Sequence, residues 1–220
     1  NNKVHPLMLN SLRVVVAVAE RLRDDVHEQC KLKFHHDILE GYGATETTPV
    51  ASVNLPDALD MNWWQIQKGG KAGTVGMALP GSSFKIVDPE SFEELPSGEA
   101  GMVLIGGSQV MKGYLNDPDK TDDVIKTIDG TRWYITGDKG SLDEDGYLTI
   151  VDRYSRFAKI AGEMISLSLV EETVRNGCDS EDLEVVAVSI PDVKKGEKII
   201  LLADQELNPQ KVVAAMRQNK

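Results

Sequence analysis

The sequence predicts an α/β layer combined with antiparallel β structure, and three changes of pattern along its 220 residues indicate this fold class. An apolar run, an amphipathic segment and a second apolar run come first, as in a βαβ unit. From Gly73, short apolar runs alternate with turn residues about every 8–12 residues, which is typical of an antiparallel sheet or small barrel. After residue 152, helical and extended patterns mix again. We therefore predict three parts, residues 1–72, 73–152 and 153–220.

The first part has the pattern of two strands joined by a helix. Residues 11–19 are apolar and rich in valine, which is typical of a strand buried on both faces of a parallel sheet. Residues 20–34 predict an amphipathic helix, because apolar residues recur at four-residue intervals between charges. Residues 37–40 predict the second strand. The segments that follow the two strands, residues 18–20 and 41–47, are candidate sites, because ligands gather at the carboxyl ends of parallel strands.

The loop after the second strand, of sequence GYGATET, contains residue types suited to a nucleotide. Gly41 and Gly43 allow the backbone to approach a ligand and to adopt conformations that other residues avoid. Tyr42 offers a flat ring on which an aromatic base can stack. The Thr45 hydroxyl suits a phosphate oxygen, and the Glu46 carboxylate suits Mg²⁺. A plain glycine-rich turn is the alternative, because short motifs also match by chance.

The middle of the chain is predicted to be irregular at first and then rich in strands. Residues 50–70 show no regular period. Their paired Trp63 and Trp64 indicate either an acyl or adenine pocket or, more commonly, loop packing. The predicted strands that follow are residues 83–87, 101–105, 133–136 and 147–151.

The last part is predicted to combine helices and strands beyond a boundary near residue 152. Residues 168–171, of sequence SLVE, have the pattern of a capping box that opens a helix, and Gly177 ends that helix. Residues 183–190 and 198–203 predict two strands. Asn208, followed by proline, opens a final helix.

Composition excludes several classes of function. A net charge of -11 argues against a general nucleic-acid binder, which needs a basic face. No apolar run approaches the ~18 residues of a membrane span, and no signal peptide is visible. Cys30 and Cys178 lack metal-ligand or redox spacing, which fits a reducing compartment. The pair His35–His36 is interpreted as surface imidazole. The ends lie beside a strand and a helix, so we expect a piece of a longer protein.

Four segments, in order, resemble motifs of the adenylate-forming superfamily, which includes acyl-CoA synthetases, peptide-synthetase adenylation domains and firefly luciferase. Residues 41–46 resemble Gly-Tyr-Gly-x-Thr-Glu, and residues 134–138 (YITGD) resemble Tyr-x-Thr-Gly-Asp. Residues 98–101 and 113–115 resemble a Gly-Glu-Leu…Gly-Tyr segment, for which we favour a structural role. Residues 152–162 resemble the segment about which the smaller domain of that superfamily turns.

This resemblance implies both a fold and a set of binding residues. The fold is the C-terminal part of the adenylate-forming fold: the end of a βαβ layer, a small β-barrel-like subdomain and a smaller mobile α+β domain. Asp138 and Arg153 are expected at the ribose, Tyr42 at the adenine, and Thr45 and Glu46 at the phosphates and Mg²⁺ as catalytic residues. The residues expected to bind ATP or AMP are Ala19, Gly41, Tyr42, Gly43, Thr45, Asp138, Arg153, Lys159 and Gly162.

The match is incomplete at several positions. Ala19 lies in a Val-Ala-Glu segment that resembles Gly-Ala-Glu at the adenine site, and a plain strand end is the alternative. Asp152 replaces a glycine, and Ser155 replaces the Asp or Lys expected at the hinge. Gly162 matches, and is expected to leave room for a pantetheine arm. The phosphate loop and the catalytic lysine of the superfamily are not found in this chain. We therefore expect the chain alone to bind ATP weakly and to lack turnover.

A finer resemblance is carried by residues 38–46, 156–166 and 195–197. It is to the acyl-acyl carrier protein synthetase half of bifunctional bacterial 2-acylglycerophosphoethanolamine acyltransferases. It implies ATP-dependent activation of a fatty acid to acyl-AMP and transfer to the phosphopantetheine thiol of acyl carrier protein, in phospholipid acyl-chain recycling. It also implies a cytoplasmic location, with the parent enzyme at the bacterial inner membrane through parts outside this chain.

Two alternatives to this function stay open. Within the enzyme class, an acyl-CoA ligase or a peptide-synthetase-type adenylation domain uses the same motifs. In another class, a non-catalytic nucleotide-binding or carrier-protein docking module is favoured by a local basic cluster, because carrier proteins are acidic. An ordinary solvated surface explains that cluster equally well. The basic cluster consists of Arg153, Arg156, Lys159, Lys194, Lys195 and Lys198.

Overall fold

A computed structural model describes most of the chain, which divides into two compact units, Asn1–Val151 and Asp152–Lys220. The described residues are 4–20, 22–178, 183–192 and 194–218. Residue 21 of the first predicted helix and the extreme ends of the chain lie outside them. Within the described ranges, no helix is long and apolar enough to cross a membrane.

The parallel pair predicted near the start of the chain is present. Strand β1 (Val15–Ala17), helix α1 (Asp24–Phe34) and strand β2 (Ile38–Tyr42) follow one another, and β1 pairs with β2 in parallel. The helix begins later than residue 20, because Arg23 keeps an extended backbone with φ −76° and ψ 138°. Strand β2 runs two residues further than predicted, so Gly41 and Tyr42 of the predicted glycine loop, residues 41–47, lie in the strand and pair with β3.

Residues 50–70 contain three short strands, so the prediction of an irregular segment is correct only for the residues between them. Four short strands follow β2, namely β3 (Ser52–Val53), β4 (Ala58–Asp60), β5 (Gln65–Gln67) and β6 (Met77–Ala78). Strands β4 and β5 form a separate hairpin, in which Trp63 and Trp64 are 76% and 73% exposed. The Asp60 carboxylate accepts the Asn62 and Trp63 amides and closes this turn. Because the turn is this tight, both tryptophans lie on the surface of the first unit.

Burial of the first strand on both faces is also wrong. Val14, Val16 and Val18 are 45%, 44% and 47% exposed. With one residue between each and the next, these three side chains share one face of the chain at β1, the edge strand of a four-stranded sheet with the order β1-β2-β3-β6. Helix α1 packs against β2, so the other face of β1 remains at the surface of this unit.

Antiparallel strands build the middle of the chain. They are β7 (Ser82–Val87), β8 (Gly101–Gly107), β9 (Ile125–Ile128), β10 (Thr131–Leu142) and β11 (Leu148–Arg153), with helix α2 (Pro118–Val124) before β9. Strand β8 pairs antiparallel with β7 and β10, and β9 pairs antiparallel with β10. Val103, Leu104 and Ile105 of central β8 are 0% exposed. The predicted class, an α/β layer with antiparallel β structure, is confirmed.

The second unit is one sheet with two helices. Its elements are β12 (Phe157–Ile160), β13 (Glu163–Ser166), α3 (Leu167–Gly177), β14 (Val185–Asp192), β15 (Gly196–Ala203) and α4 (Pro209–Gln218). The sheet has the order β13-β12-β15-β14. The sequence pattern does not indicate the β12–β13 hairpin, because Ala161 occupies a left-handed turn position (φ 52°) that Asn or Gly usually fills.

Helix α3 starts earlier than the SLVE pattern predicts. Ser166 is the N-cap, and its hydroxyl accepts the amide of Leu169. Ser168 therefore lies inside the first turn. Glu171, the supposed partner in the capping box, is buried and serves another purpose, because its carboxylate accepts the amide of Ala187 in β14 at 2.7 Å. Ser166, the last residue of β13, therefore caps the helix in place of Ser168.

Candidate functional site

The turn that carries Thr45 and Glu46 is locked by a buried threonine. Residues Thr45–Thr47 form one turn of 3-10 helix after β2. The Thr47 hydroxyl donates to the Ala44 carbonyl at 2.9 Å and accepts the Ala44 amide at 3.0 Å. Thr47 is 0% exposed, whereas Thr45 is exposed and Glu46 half-buried. The Thr47 hydrogen bonds thus fix the turn in a conformation that leaves the Thr45 side chain exposed to solvent.

The two glycines of this loop are required by close packing of the chain on itself. Neither has a positive φ, so the expected unusual backbone conformation is wrong. A Cβ on Gly43 would lie 2.0 Å from the Pro49 carbonyl oxygen, and one on Gly41 would lie 3.1 Å from the Ser52 carbonyl oxygen. The loop folds back on its own continuation, and only glycine leaves room for that return.

Asp138 is positioned by a bulge in the long strand β10. The register against β8 shifts between Ile135 and Lys139, and Gly137 has φ 75°, a conformation that favours glycine. The Thr136 hydroxyl closes the bulge, because it donates to the Val103 carbonyl at 2.8 Å and accepts the Asp138 amide at 3.0 Å. Asp138 is only 6% exposed. The Thr-Gly-Asp sequence therefore has a direct structural explanation in the bend.

The glycine loop and the bulge meet through Tyr42 and Asp138. The Tyr42 hydroxyl donates to Asp138 Oδ2 at 2.5 Å, across a separation of 96 residues along the chain. The Tyr42 ring also lies against Phe84, with centroids 6.5 Å apart. Burial, together with the negative charge of Asp138, raises the pKa of the Tyr42 phenol. The phenol therefore stays protonated and keeps donating to this carboxylate.

Glu46 is held by a second tyrosine. The Tyr114 hydroxyl donates to Glu46 Oε1 at 2.5 Å, which raises the pKa of Tyr114 to about 12. Partial burial raises the pKa of Glu46, but hydrogen bonds from Tyr114 and its own amide, with the nearby Tyr134 phenol, outweigh burial and lower it. Lys120 Nζ lies 4.5 Å from the centroid of the Tyr114 ring. Glu46 is therefore an ionised carboxylate whose direct side-chain donor is uncharged.

The loop that supplies Tyr114 is attached to the Glu46 turn through the backbone. The Met111 amide donates to the Glu46 carbonyl at 2.8 Å, and the Thr48 hydroxyl donates to the Gln109 carbonyl at 3.0 Å. Arg132 of β10 donates to the Met111 and Lys112 carbonyls, both at 2.9 Å. The Gly-Tyr segment thus also contributes a functional-site contact, which the structural role predicted for it did not include.

The remaining predicted site residues lie in different surroundings. Ala19 follows β1, is exposed and has φ 83°. In the second unit, Arg153 and Lys159 are exposed, and the Lys159 amide donates to Glu197. Gly162 forms the β12–β13 turn with φ 93°, and a Cβ there would meet nothing within 4 Å. Within this unit, glycine is therefore favoured at residue 162 by its positive φ and not by a lack of space for a side chain.

The basic cluster predicted in the last part is only partly available. Arg156 Nη2 lies 2.8 Å from the buried carboxylate of Glu171, so its charge is neutralised inside the second unit. Lys194, Lys195 and Lys198 are exposed near the β14–β15 turn. Five of the six basic residues, Arg153, Lys159, Lys194, Lys195 and Lys198, are therefore exposed, and only Arg156 is paired inside the unit.

The arrangement in the first unit suits a nucleotide with a divalent cation. Among the described residues, no group of three or more His, Cys, Asp and Glu side chains is placed to hold a metal. Mg²⁺ needs no such group when phosphate oxygens and one carboxylate hold it. Asp138 can accept hydroxyl hydrogen bonds, and Glu46 keeps its charge. Sequence reasoning assigned neither Tyr114 nor Tyr134 to the site, although both lie within motif segments.

Comparison with known proteins identifies the family. Residues 2–115 match the family described as AMP-binding enzyme. The match covers the glycine loop and continues through Tyr114, and it extends over more than half of the 220 residues. The chain belongs to the AMP-binding enzyme family, and the predicted membership of the adenylate-forming superfamily is confirmed.

Individual relatives are acid–thiol ligases by name. The chain is 35% identical over 190 residues to "4-coumarate--CoA ligase 2" of Nicotiana tabacum, covering 86% of this chain and 33% of that protein. It is 38% identical over 164 residues to "Long-chain-fatty-acid--CoA ligase" of Salmonella typhimurium, covering 74% of this chain and 26% of that protein. The chain thus spans between a quarter and a third of these curated relatives.

A solved structure shares the fold. ATP-bound MatB from Rhodopseudomonas palustris aligns with a TM-score of 0.79 and 26% sequence identity, over 100% of this chain and 41% of that chain. The alignment covers both units of the chain described above. It therefore supports the assignment of the antiparallel sheets and of the smaller α+β unit to one fold family.

Proposed function

We propose that the protein carrying this chain activates a carboxylic acid with ATP and transfers the acyl group to a thiol. The observation that carries the proposal is the pairing of Asp138 and Glu46 with tyrosines from distant segments, in a chain of the AMP-binding enzyme family. A carboxylate oxygen of the acid attacks the α-phosphorus of ATP, and acyl-AMP and pyrophosphate form. The thiolate sulfur then attacks the acyl carbon, and AMP leaves with the bonding electron pair.

In this proposal each residue of the first unit has a physical role. Asp138 accepts hydrogen bonds from the ribose hydroxyls, since a buried carboxylate beside a neutral donor keeps acceptor capacity. Tyr42 borders the adenine, and the exposed Thr45 donates its hydroxyl to a phosphate oxygen. Ala19 borders the adenine at the end of β1. Gly41 and Gly43 keep the loop in the shape that presents these groups.

The donor set around Glu46 fits Mg²⁺. Its carboxylate is ionised and half-buried, and no lysine or arginine forms an ion pair with it within the described part of the chain. A bound Mg²⁺ would neutralise phosphate charge during adenylate formation. Glu46 would bind that ion with its carboxylate, whose Oε1 also accepts the Tyr114 hydroxyl.

The second unit is proposed to take part after adenylate formation. In this proposal Arg153 binds the nucleotide, and the β12–β13 turn of the smaller domain, residues 153–220, borders the thiol arm. Lys159 and Gly162 lie on this hairpin. We also propose the division of the chain after residues 72 and 152. The same proposal makes the chain the C-terminal part of a longer enzyme. The missing phosphate loop and catalytic lysine would come from the rest of that enzyme.

We propose a fatty acid as substrate and acyl carrier protein as acceptor, in phospholipid acyl-chain recycling. The Salmonella relative named as a long-chain-fatty-acid ligase supports the acid, whereas both curated relatives reported above are named as CoA ligases. CoA is therefore an equally supported acceptor. The exposed Lys194, Lys195 and Lys198 favour an acidic carrier protein. For this enzyme we propose the cytoplasmic side of a bacterial inner membrane, without nucleic-acid binding.

ATP–pyrophosphate exchange with a long-chain fatty acid, measured on the full-length protein, tests the proposal. Exchange that requires the fatty acid and falls roughly a hundredfold in Asp138→Ala is expected, because a positioned contact to the nucleotide is lost. Asp145→Ala, an exposed aspartate of the same unit, is the matched control and should retain exchange. Equal exchange in wild type and Asp138→Ala would refute the ribose assignment.

The acceptor is decided by a separate measurement. Thioester formation is compared between CoA and phosphopantetheinylated carrier protein, at low and moderate ionic strength. A carrier-protein acceptor predicts that charge reversal at Lys194 and Lys195 raises its KM and leaves exchange intact, since charge steering acts on encounter. Transfer to CoA with no transfer to carrier protein would select the acyl-CoA ligase alternative.

A further inference from the structure

We infer that Tyr114 is the positioning residue for Glu46, and that through Glu46 it sets the affinity of the site for the divalent cation that accompanies ATP. This inference rests on the function proposed above. It adds a role for the Gly-Tyr segment, for which the sequence predicts only a structural role. It concerns one contact, between the Tyr114 hydroxyl and Glu46 Oε1.

The geometry of this contact restricts the carboxylate. The hydroxyl reaches Oε1 at 2.5 Å, so that oxygen has a fixed partner and the plane of the carboxylate is set. The Tyr134 phenol also hydrogen-bonds this carboxylate, and an ionised carboxylate has lone pairs beyond two such contacts with which to meet a cation. Groups that hydrogen-bond a metal-binding side chain commonly change metal affinity 10- to 100-fold, because they orient the ligand.

The loop that holds Tyr114 is itself rigidly held. The Tyr114 amide donates to the Thr121 hydroxyl at 2.8 Å, and that hydroxyl donates to the Asp117 carbonyl at 2.9 Å. Asp117 caps helix α2 by accepting the Lys120 amide. A chain of hydrogen bonds therefore connects the start of α2 to Glu46. These hydrogen bonds hold the backbone of Tyr114 in the position from which its phenol reaches Glu46.

The charge pattern around the contact also fits positioning. Lys120 Nζ lies over the Tyr114 ring at 4.5 Å and is attracted to its face. The lysine thus contributes positive charge near both the phenol and Glu46, and it forms no ion pair with Glu46 within the described residues. The carboxylate keeps its negative charge for a cation, while its orientation is set by a neutral donor.

Tyr114→Phe in the full-length protein tests this inference, because it removes the hydroxyl and keeps the ring under Lys120. ATP binding is measured by calorimetry with Mg²⁺ and with EDTA, and the ratio of the two affinities is the readout. We expect the gain in affinity from Mg²⁺ to fall roughly tenfold. The Mg²⁺ concentration for half-maximal ATP–pyrophosphate exchange should rise similarly, while the KM for fatty acid stays unchanged.

Tyr147→Phe is the matched control. Tyr147 is buried, its hydroxyl donates to the Lys68 carbonyl at 3.1 Å, and Lys71 lies 5.8 Å from its ring centroid. The two tyrosines thus have the same chemistry, but Tyr147 donates to a backbone carbonyl instead of a carboxylate. Its variant should lower stability slightly and leave the effect of Mg²⁺ on ATP affinity unchanged.

Tyr114→Phe is then repeated in a Glu46→Gln background. If Tyr114 acts through Glu46, the loss in Mg²⁺-dependent affinity disappears there. The inference is overturned if Tyr114→Phe causes an equal loss in both backgrounds, or if it leaves the ratio of the two ATP affinities unchanged. Weaker ATP binding in EDTA would also overturn it, because that result indicates direct contact between Tyr114 and ATP. Absence of fatty-acid-dependent exchange in wild type refutes the proposed function, whereas normal exchange with an unaffected Tyr114→Phe refutes only this inference.

Discussion

Glu46 in the first unit and Glu171 in the second unit are both shielded from solvent, but their carboxylates accept hydrogen bonds from different kinds of donor. Glu171 in the second unit lies 2.8 Å from Arg156 and 3.7 Å from Arg175, and it accepts the Ala187 amide at 2.7 Å. Glu46 in the first unit accepts a phenol instead. The charge of Glu171 is neutralised inside the fold, whereas that of Glu46 remains. The two carboxylates thus differ in the charge of their donors, and this difference fits the structural role of Glu171 and the binding role proposed for Glu46.

The buried pair gives the largest expected effect on stability. Glu171→Ala removes the carboxylate that holds the partly exposed Arg156 and the Ala187 amide, and should lower the free energy of unfolding of the second unit by about 2–3 kcal/mol. Amide hydrogen exchange at Ala187 measures the loss locally, because that amide donates to Glu171. The exposed neighbour Glu172 is the control, and its change to Ala should cost under ~0.5 kcal/mol. Equal protection of Ala187 in both variants would contradict the comparison.

The same test in the first unit should leave stability intact and remove activity. Glu46→Gln keeps the size and the acceptor for Tyr114 but removes the charge. We expect ATP–pyrophosphate exchange to fall roughly a hundredfold or more, because a charged group at the phosphates is lost. Thermal unfolding should change little. A variant that keeps full exchange would show that Glu46 is as structural as Glu171.

The pH dependence of the Tyr114 contact sharpens the comparison. The pKa of Glu46 is lowered from 4.5, so the contact stabilises the ionised form. Its contribution to stability is therefore fully present above pH 4.5 and is lost as the pH falls through the lowered value. Tyr114→Phe should raise the pKa of Glu46, measured by carboxyl ¹³C NMR titration. The stability difference from wild type should narrow below pH 4.5. A difference independent of pH would assign the effect to packing.

Glycines in the two units give the smallest expected effect. Gly162 has φ 93° and open space around a Cβ, so Gly162→Ala should cost only about 1–2 kcal/mol of stability, from backbone strain. Gly162→Asn should cost less, because Asn tolerates this region. Gly43→Ala should cost more than Gly162→Ala, because its Cβ meets the Pro49 carbonyl. Denaturant unfolding of the three variants checks the order, and a Gly43→Ala protein as stable as Gly162→Asn would contradict it.

Sequence reasoning worked best where chemistry is local. The βαβ order and the family membership follow from residues close together in the chain. It failed where burial or capping depends on neighbours. Residues 11–19 have the composition of a fully buried strand, yet Val16 is 44% exposed, because composition does not specify which elements pack against a strand face. Helix α3 starts earlier than predicted because Ser166, and not Ser168, is its N-cap.

The sequence by itself determined the residue types of the candidate site and their order along the chain. Only the tertiary structure decided the partners: Tyr42 meets Asp138 across 96 residues, and Tyr114 meets Glu46 across 68. It also showed that Gly43 is needed for the returning chain and that Arg156 is paired with Glu171. The physical reason is that a hydrogen-bond partner depends on sheet register and on a bulge, which long-range packing sets and local sequence cannot specify.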